Sequence, residues 1–342
     1  MSMLIDVPGL ALGHASLTDT GVSAVVSTSP AGMVGAVDVR GGGPGTRETD
    51  LLEPHNTVER VHAIVLAGGS AFGLAAADGA MVELERRGYG FPVFGEDNPG
   101  PRVPIVPAAV IFDLIVGDPN HRPSAADGAA AIRDALEGTT LDGAVAAGPT
   151  SGSVGAGCGA TAGVLRGGFG QASQQVDQYV VAAAVVANPV GAVIDPATGR
   201  FFGGGDHPDA TRRVDLEKFN NLERPTPKLN TTIGVVATNA PLAPAQLKRL
   251  AMTGHDGIAR AVRPAHSPLD GDTLFAVSTA TPEEFFTQSR PQTDVDPVEL
   301  MAQLSAASAA CVEAAIVDAV ASAESTADSP ELGITAWRDI AL

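Results

Sequence analysis

Two rhythms of apolar residues alternate along the chain. Short runs rich in β-branched and aliphatic residues stand between glycine turns at 22–27, 34–39 and 63–66. Runs of that length and composition predict buried strands. The same pattern covers 179–194 on either side of an Asn188-Pro189 turn, the stretch after Thr231, and 272–279. Longer stretches carry the helical period. One helix is expected over 74–87, stopping near Gly88. A second opens at Ser124, an N-cap with Asp127 three residues on, and stops at Gly138. A third starts at Pro244 and buries Leu247, Leu250, Ala251, Gly254, Ile258 and Ala261. A fourth is capped by Asp296, with Pro297 in its first turn and Glu299 completing a capping box. Its buried face is Leu300, Leu304, Ala307, Cys311 and Ala315. Interleaved strands and helices make this an α/β chain, and residues 1–342 read as one domain. Two segments break the rhythm. Residues 148–170 are dense in Gly, Ala, Ser and Thr, which predicts close backbone approach. Residues 195–228 are charged, proline-dotted and irregular, as expected of a lid or a cleavable linker.

Composition narrows the function. Thirty-nine acidic against 21 basic residues give a net charge of −18, which argues against nucleic acid or an anionic membrane as partner. With 4% aromatic residues and 40 glycines, the core has to be built from Ala, Val, Leu and Ile. Two cysteines, Cys158 and Cys311, suggest no disulfide framework and fit a cytoplasmic protein. The N-terminus lacks the basic region of a signal peptide, and the apolar stretch 180–194 is too short to span a bilayer.

Several candidate sites dissolve on inspection. The Gly68-Gly69-Ser70 turn between a strand and a helix matches neither a dinucleotide fingerprint nor a P-loop, and Ser70 lacks the G-x-S-x-G of a nucleophile elbow. A helix dipole contributing to an oxyanion hole, or simple helix–strand packing, is the better reading. Arg40 and Arg47 flank a glycine loop that fits either an anion clamp or a turn with salt-bridged arginines. The seven histidines show no metal-ligand spacing, so neither metal nor cofactor is expected. Cys158, between glycines, is expected to be a small buried residue rather than a nucleophile.

Asn230-Thr231, where the irregular segment meets a strand, carries distinctive chemistry. A threonine hydroxyl can attack the carbonyl before it through a five-membered ring. Hydrolysis of the resulting ester leaves Thr231 as a new N-terminus, whose α-amino group can act as general base for its own hydroxyl. The adjacent Thr232 would point to the opposite face. Asn188 could donate its side-chain N–H₂ to a developing oxyanion. Asp270 and Asp272, in the turn His266-Ser267-Pro268-Leu269-Asp270-Gly271-Asp272, could stabilise the positive charge formed on proton uptake, Asp272 ranking first.

These stretches, with Val7-Pro8-Gly9, Asp38-Val39-Arg40-Gly41-Gly42, Leu66-Ala67-Gly68-Gly69-Ser70 and the motif from Val106 to Asp113, resemble the L-aminopeptidase/D-esterase family of self-processing amidases. That family includes β-peptidyl aminopeptidases and nylon-oligomer hydrolases. The resemblance covers nearly the whole chain. It implies a four-layer α-β-β-α sandwich like that of N-terminal-nucleophile hydrolases, and cleavage into chains 1–230 and 231–342 that stay together. It further implies a homo-oligomer of such α/β pairs and hydrolysis of small peptide or peptide-like amides, 6-aminohexanoate oligomers among them. The oxyanion role of Asn188 is implied too. So is the acidic pair, which nylon-oligomer hydrolases carry at the same distance past their nucleophile, 39 residues for Asp270 here. Two positions depart from the nylon-oligomer pattern. Val164 stands where those enzymes have Lys, leaving Arg166 as the nearby cation, and Phe112 stands where they have Tyr. Two rival expectations are an acyltransferase of the ornithine-acetyltransferase type and an unprocessed binding protein with a structural Thr231.

Overall fold

The computed structural model describes residues 3–138, 151–204, 207–224, 226, 229–280, 295–325 and 333–342. Two main sheets form its middle. The first has strand order β1 (Leu10–Ser16), β2 (Gly21–Ser27), β6 (Ala63–Ala67), β9 (Ala108–Val110), β4 (Thr46–Arg47). The second runs β12 (Gly168–Val176), β13 (Tyr179–Ala187), β14 (Ile233–Thr238), β15 (Thr273–Ser278), β3 (Met33–Val39), β5 (Arg60–Val61). Short two-stranded ribbons pair β7 (Phe91–Pro92) with β8 (Arg102–Val103), and β10 (Thr161–Ala162) with β11 (Leu165–Arg166).

Side-chain alternation explains how the sheets stack. In β14, Ile233, Val235 and Ala237 point between the sheets, where they meet Val25, Ile64 and Leu66 of the first sheet. Val236 points the other way, with Leu274 and Ala276 of β15, onto helices α4 (Pro244–Ala261) and α5 (Pro297–Ser322). Helices α1 (Ala76–Arg86) and α2 (Ala125–Glu137) cover the outer face of the first sheet through Ala80, Leu84, Ala131 and Ile132. Helix, sheet, sheet, helix is the expected four-layer sandwich. Both faces of β14 are apolar, so its sequence shows a continuous buried run rather than alternation.

The small-residue composition has a direct geometric cause. A Cβ on Gly170 of β12 would lie 2.1 Å from the Ala315 carbonyl oxygen of α5, so strand and helix touch backbone to backbone. This is the close approach expected of the glycine-dense segment, whose residues 148–150 lie outside the described residues. Helix α5 has 26 residues and is long and apolar enough to cross a bilayer. Here it packs on β12 and β13, with the five positions expected of its buried face all buried.

Three expectations need adjusting. Residues 70–75 form a 3-10 turn, and regular helix starts only at Ala76. Asp296 caps α5 by accepting from the N–H groups of Val298 and Glu299, but the Glu299 carboxylate accepts from Gln303 instead of closing a capping box. Within 195–228 the described residues are more ordered than the sequence suggests. Asp215 caps a short helix α3 (Leu216–Asn220), Val214 bridges to Ala341, and Phe201, Val214 and Phe219 join the core.

Candidate active site

Topology gathers the distant motifs. Strand β13 runs antiparallel to β14, so its C-terminal end meets the start of β14. Strand β15 runs parallel to β14, so the two begin side by side. Asn188 therefore follows β13, Asn230-Thr231 precedes β14, and Asp270 and Asp272 precede β15, all at the same end of these neighbouring strands of the second sheet. The five residues are buried.

Thr231 is held at both of its polar ends. Its N–H donates to the Asn188 carbonyl at 2.7 Å, and its hydroxyl donates to the carbonyl of the preceding residue, Asn230, at 2.5 Å. The Thr232 N–H donates to Asp272 Oδ1 at 2.8 Å, while the Thr232 hydroxyl is buried without a partner among the described residues. The two threonines are thus easily told apart: one hydroxyl lies against the peptide bond, the other idles in the core.

Asn188 is a hub. Its Oδ1 accepts from the Thr161 N–H at 2.8 Å and the Thr161 hydroxyl at 3.2 Å, and its Nδ2 donates to the Phe112 carbonyl at 3.0 Å. The Thr161 N–H can only donate, which fixes which end of the Asn188 amide is oxygen. The side chain of Asn230 joins this hub: its Nδ2 donates to Thr161 Oγ1 at 3.0 Å, to Asn188 Oδ1 at 3.2 Å and to the Thr161 carbonyl at 3.4 Å.

The two carboxylates have separate sets of donors. Asp272 Oδ2 accepts from His266 Nδ1 at 2.8 Å and the His266 N–H at 3.2 Å. Asp270 accepts from the Val190 N–H at 2.9 Å and from the N–H and hydroxyl of Ser267. Burial pushes the Asp270 carboxyl upward; its Ser267 hydrogen bonds oppose that shift, and the charge of Asp272 adds to it. Asp272 thus binds the backbone next to Thr231 through the Thr232 N–H, whereas Asp270 binds Val190 and Ser267, and no hydrogen bond joins either carboxylate to the Thr231 hydroxyl among the described residues. The glycine loop explains how their turn is held: the N–H groups of Arg40 and Gly41 donate to the Asp272 carbonyl, and that of Gly43 donates to Asp270. A Cβ on Gly41 would lie 2.2 Å from the Asp272 nitrogen, so only glycine permits this contact.

The alternatives fall into place. Arg40 pairs with Asp38 and Arg47 with Asp78, which makes the loop a salt-bridged turn rather than an anion clamp. The Gly69 N–H donates to Asp113 and that of Ser70 to the Ile111 carbonyl, so this turn serves packing. Burial pushes the Cys158 thiol up to about 11, which keeps it an unreactive neutral group, and both cysteines are free. Arg166 is buried and donates to the Cys158 carbonyl. Val164 lines a cavity of about 280 Å³ with Leu165, Ile194, Phe219, Leu222 and Arg224. At Phe112 it is the main-chain carbonyl that enters the site. Among the described residues no group of three or more His, Cys, Asp or Glu is placed to hold a metal ion. Thr161, His266 and Ser267 are parts of the site that sequence reading did not single out. His266 and Ser267 lie in the same turn as the acidic pair, which was the available signal; Thr161 sat unremarked within the glycine-dense stretch.

Two packed sheets between outer helices are an architecture shared with solved structures. The chain's fold matches a Burkholderia sp. beta-aminopeptidase with a TM-score of 0.69, at 23% identity over 94% of this chain and 87% of that one. It matches the L-aminopeptidase D-Ala-esterase/amidase of Ochrobactrum anthropi, described as a variant of the Ntn-hydrolase fold, with a TM-score of 0.66. That match has 24% identity and covers 94% of this chain and 86% of that one. Residues 2–331 match the model of peptidase family S58, and the chain belongs to that family. It is 44% identical to an uncharacterized aminopeptidase of Mycobacterium leprae over 96% of this chain and 93% of the relative. It is 32% identical to a 6-aminohexanoate-oligomer endohydrolase of Kocuria sp. over 81% of this chain and 75% of that enzyme. By family, then, this is a hydrolase of the aminopeptidase and amidase class.

Proposed function

We propose that the protein cuts itself between Asn230 and Thr231 and then hydrolyses small peptide or peptide-like amides with Thr231 as N-terminal nucleophile. The observation that carries this reading is the Thr231 hydroxyl lying 2.5 Å from the Asn230 carbonyl oxygen, buried at the start of β14. In the first stage Thr231 Oγ1 adds to the Asn230 carbonyl carbon. The C–N bond then breaks, the nitrogen leaves as an amine, and Asn230 is held as an ester on Thr231. Water hydrolyses the ester to an Asn230 carboxylate and a free Thr231 α-amino group. In the second stage that amino group takes the hydroxyl proton as Oγ1 attacks a substrate amide; the amine product leaves, and water releases the acid.

The neighbours have matching tasks. The Asn188 carbonyl, already receiving the Thr231 N–H, is placed to hold the freed amino group with its lone pair toward Oγ1. The second hydrogen of Asn188 Nδ2, beyond the one given to Phe112, is the donor open to an oxyanion. Asp272 fixes the peptide after the nucleophile through the Thr232 N–H, with His266 and the glycine loop holding Asp272 in turn. Asp270 anchors the facing turn.

Intact-mass measurement of the purified protein tests the reading. The whole chain is 34.4 kDa. Cleavage gives co-purifying species of about 23 and 11 kDa, the smaller beginning at Thr231. An active preparation containing only the 34.4 kDa species would refute it.

A further inference from the structure

Self-cleavage and turnover share one covalent linkage, and this lets the uncut chain report on substrate choice. In the self-cleavage ester, Asn230 is the acyl group on Thr231 Oγ1. In turnover, the substrate's acyl group is bonded to that same oxygen. The surroundings of the Asn230 side chain are therefore the surroundings of whatever acyl group follows it.

Those surroundings are specific. Asn230 Nδ2 faces three oxygens: Thr161 Oγ1 at 3.0 Å, Asn188 Oδ1 at 3.2 Å and the Thr161 carbonyl at 3.4 Å. The Thr161 carbonyl can only accept, and Asn188 is held oxygen-inward by the Thr161 N–H, so the cage calls for a donor. None of the three is a carboxylate, and a buried ammonium without a counter-charge is costly, so an uncharged –NH₂ fits best. A carboxylate there would set lone pairs against lone pairs. The main-chain nitrogen of Asn230 donates to the Leu269 carbonyl at 3.4 Å, which marks where a substrate's α-nitrogen would lie.

We propose that Thr161 and Asn188 form the acyl-side specificity subsite of the processed enzyme, and that it selects acyl groups bearing a primary carboxamide one methylene from the α-carbon. Asparaginyl amides are the simplest members of this class. The inference rests on Thr231 being the nucleophile, and it adds a substrate class to that reading. A site built around buried acceptors discriminates strongly against analogues that lack the donor.

The test compares asparaginyl, leucyl and aspartyl p-nitroanilides with the processed protein. Leucine has nearly the shape of asparagine without the donor, and aspartate replaces the donor with charge. The expected order in kcat/KM is asparaginyl, leucyl, aspartyl, with asparaginyl ahead of leucyl by about 100-fold. Thr161→Val removes one acceptor and narrows that ratio by about tenfold. Asn230→Leu slows self-cleavage, which reads the same cage without any added substrate. A wild-type chain that never cleaves would overturn the nucleophile and this subsite together. A processed protein that turns over leucyl as fast as asparaginyl, or hydrolyses none of the three, would overturn the subsite alone. A ratio unchanged by Thr161→Val would also overturn it.

Discussion

The same two residue types stand about both ends of strand β14 in mirror order, Asn230-Thr231 just before its start and Thr238-Asn239 at its finish. At the finish, each side chain serves the backbone of another residue. Thr238 Oγ1 accepts from the Ala240 N–H at 3.1 Å, and Asn239 Oδ1 accepts from the Val180 N–H at 2.8 Å. At the start, the threonine hydroxyl donates to the carbonyl directly before it, and the asparagine spends its donor on a cage of acceptors. Composition is alike and both threonines are buried, with Asn230 buried and Asn239 half-buried; what separates the two ends is the direction of their hydrogen bonds. A hydroxyl that accepts from an N–H completes the fold. A hydroxyl placed on its own upstream peptide can rearrange it.

The comparison can be broken by substitution, starting with the largest effect. With Thr231 as the proposed nucleophile of both reactions, Thr231→Ala is expected to abolish self-cleavage and amide hydrolysis together, whereas Thr231→Ser is expected to retain part of each; mass and amidase assays read this directly. Survival of activity in an uncut Thr231→Ala chain would move the nucleophile elsewhere. Asn188→Ala keeps the main-chain carbonyl that holds the Thr231 nitrogen but loses the side chain, so kcat falls about 100-fold with KM changed less, as for lost oxyanion donors. At the far end of β14, Thr238→Val leaves the Ala240 N–H without its acceptor. It lowers stability by about 1–2 kcal/mol in denaturant melts and leaves cleavage at the wild-type rate. Smallest of all is Thr232→Val, which swaps for a methyl a buried hydroxyl that has no partner among the described residues. Stability is expected to stay within about 0.5 kcal/mol or to rise slightly, with processing unchanged. A large loss of cleavage in Thr232→Val would mean that the wrong threonine of the pair has been chosen.

Much of this arrangement can be read from the chain alone. Buried strands bounded by glycine turns, and helices with proper caps, leave local marks, so the Ser124–Asp127 cap falls where periodicity places it. The Asn-Thr pair, Asn188 and the acidic turn stand out because each joins polar chemistry to the edge of an apolar strand. What sequence hides is pairing. That β14 and β15 run parallel while β13 opposes them decides that residues 188, 231 and 272 meet, and no local pattern records it. Thr161 is invisible for a similar reason, since its importance lies in an Asn188 side chain 27 positions away. Segment 195–228 misleads because Phe201, Val214 and Phe219 are too widely spaced to show a period, yet each finds a place in the core.

The position of β14 within its sheet has a further consequence for a chain that is cut. Its neighbour on one side, β13, belongs to the first fragment, and β15, on its other side, pairs next with β3, again from the first fragment. In a cut chain, β14 and β15 of the second fragment would therefore lie side by side inside a sheet whose other described strands come from the first, like two fingers in a closed hand. The fragments cannot drift apart as docked bodies do; separating them means tearing two ladders, which amounts to unfolding. Melting would nonetheless change its reaction order. An uncut monomer unfolds to one molecule and has a Tm independent of concentration. A cut one unfolds to two, and its Tm climbs as the protein is concentrated. Scission at Asn230 would thus convert a monomolecular fold into a complex bound as tightly as a hydrophobic core.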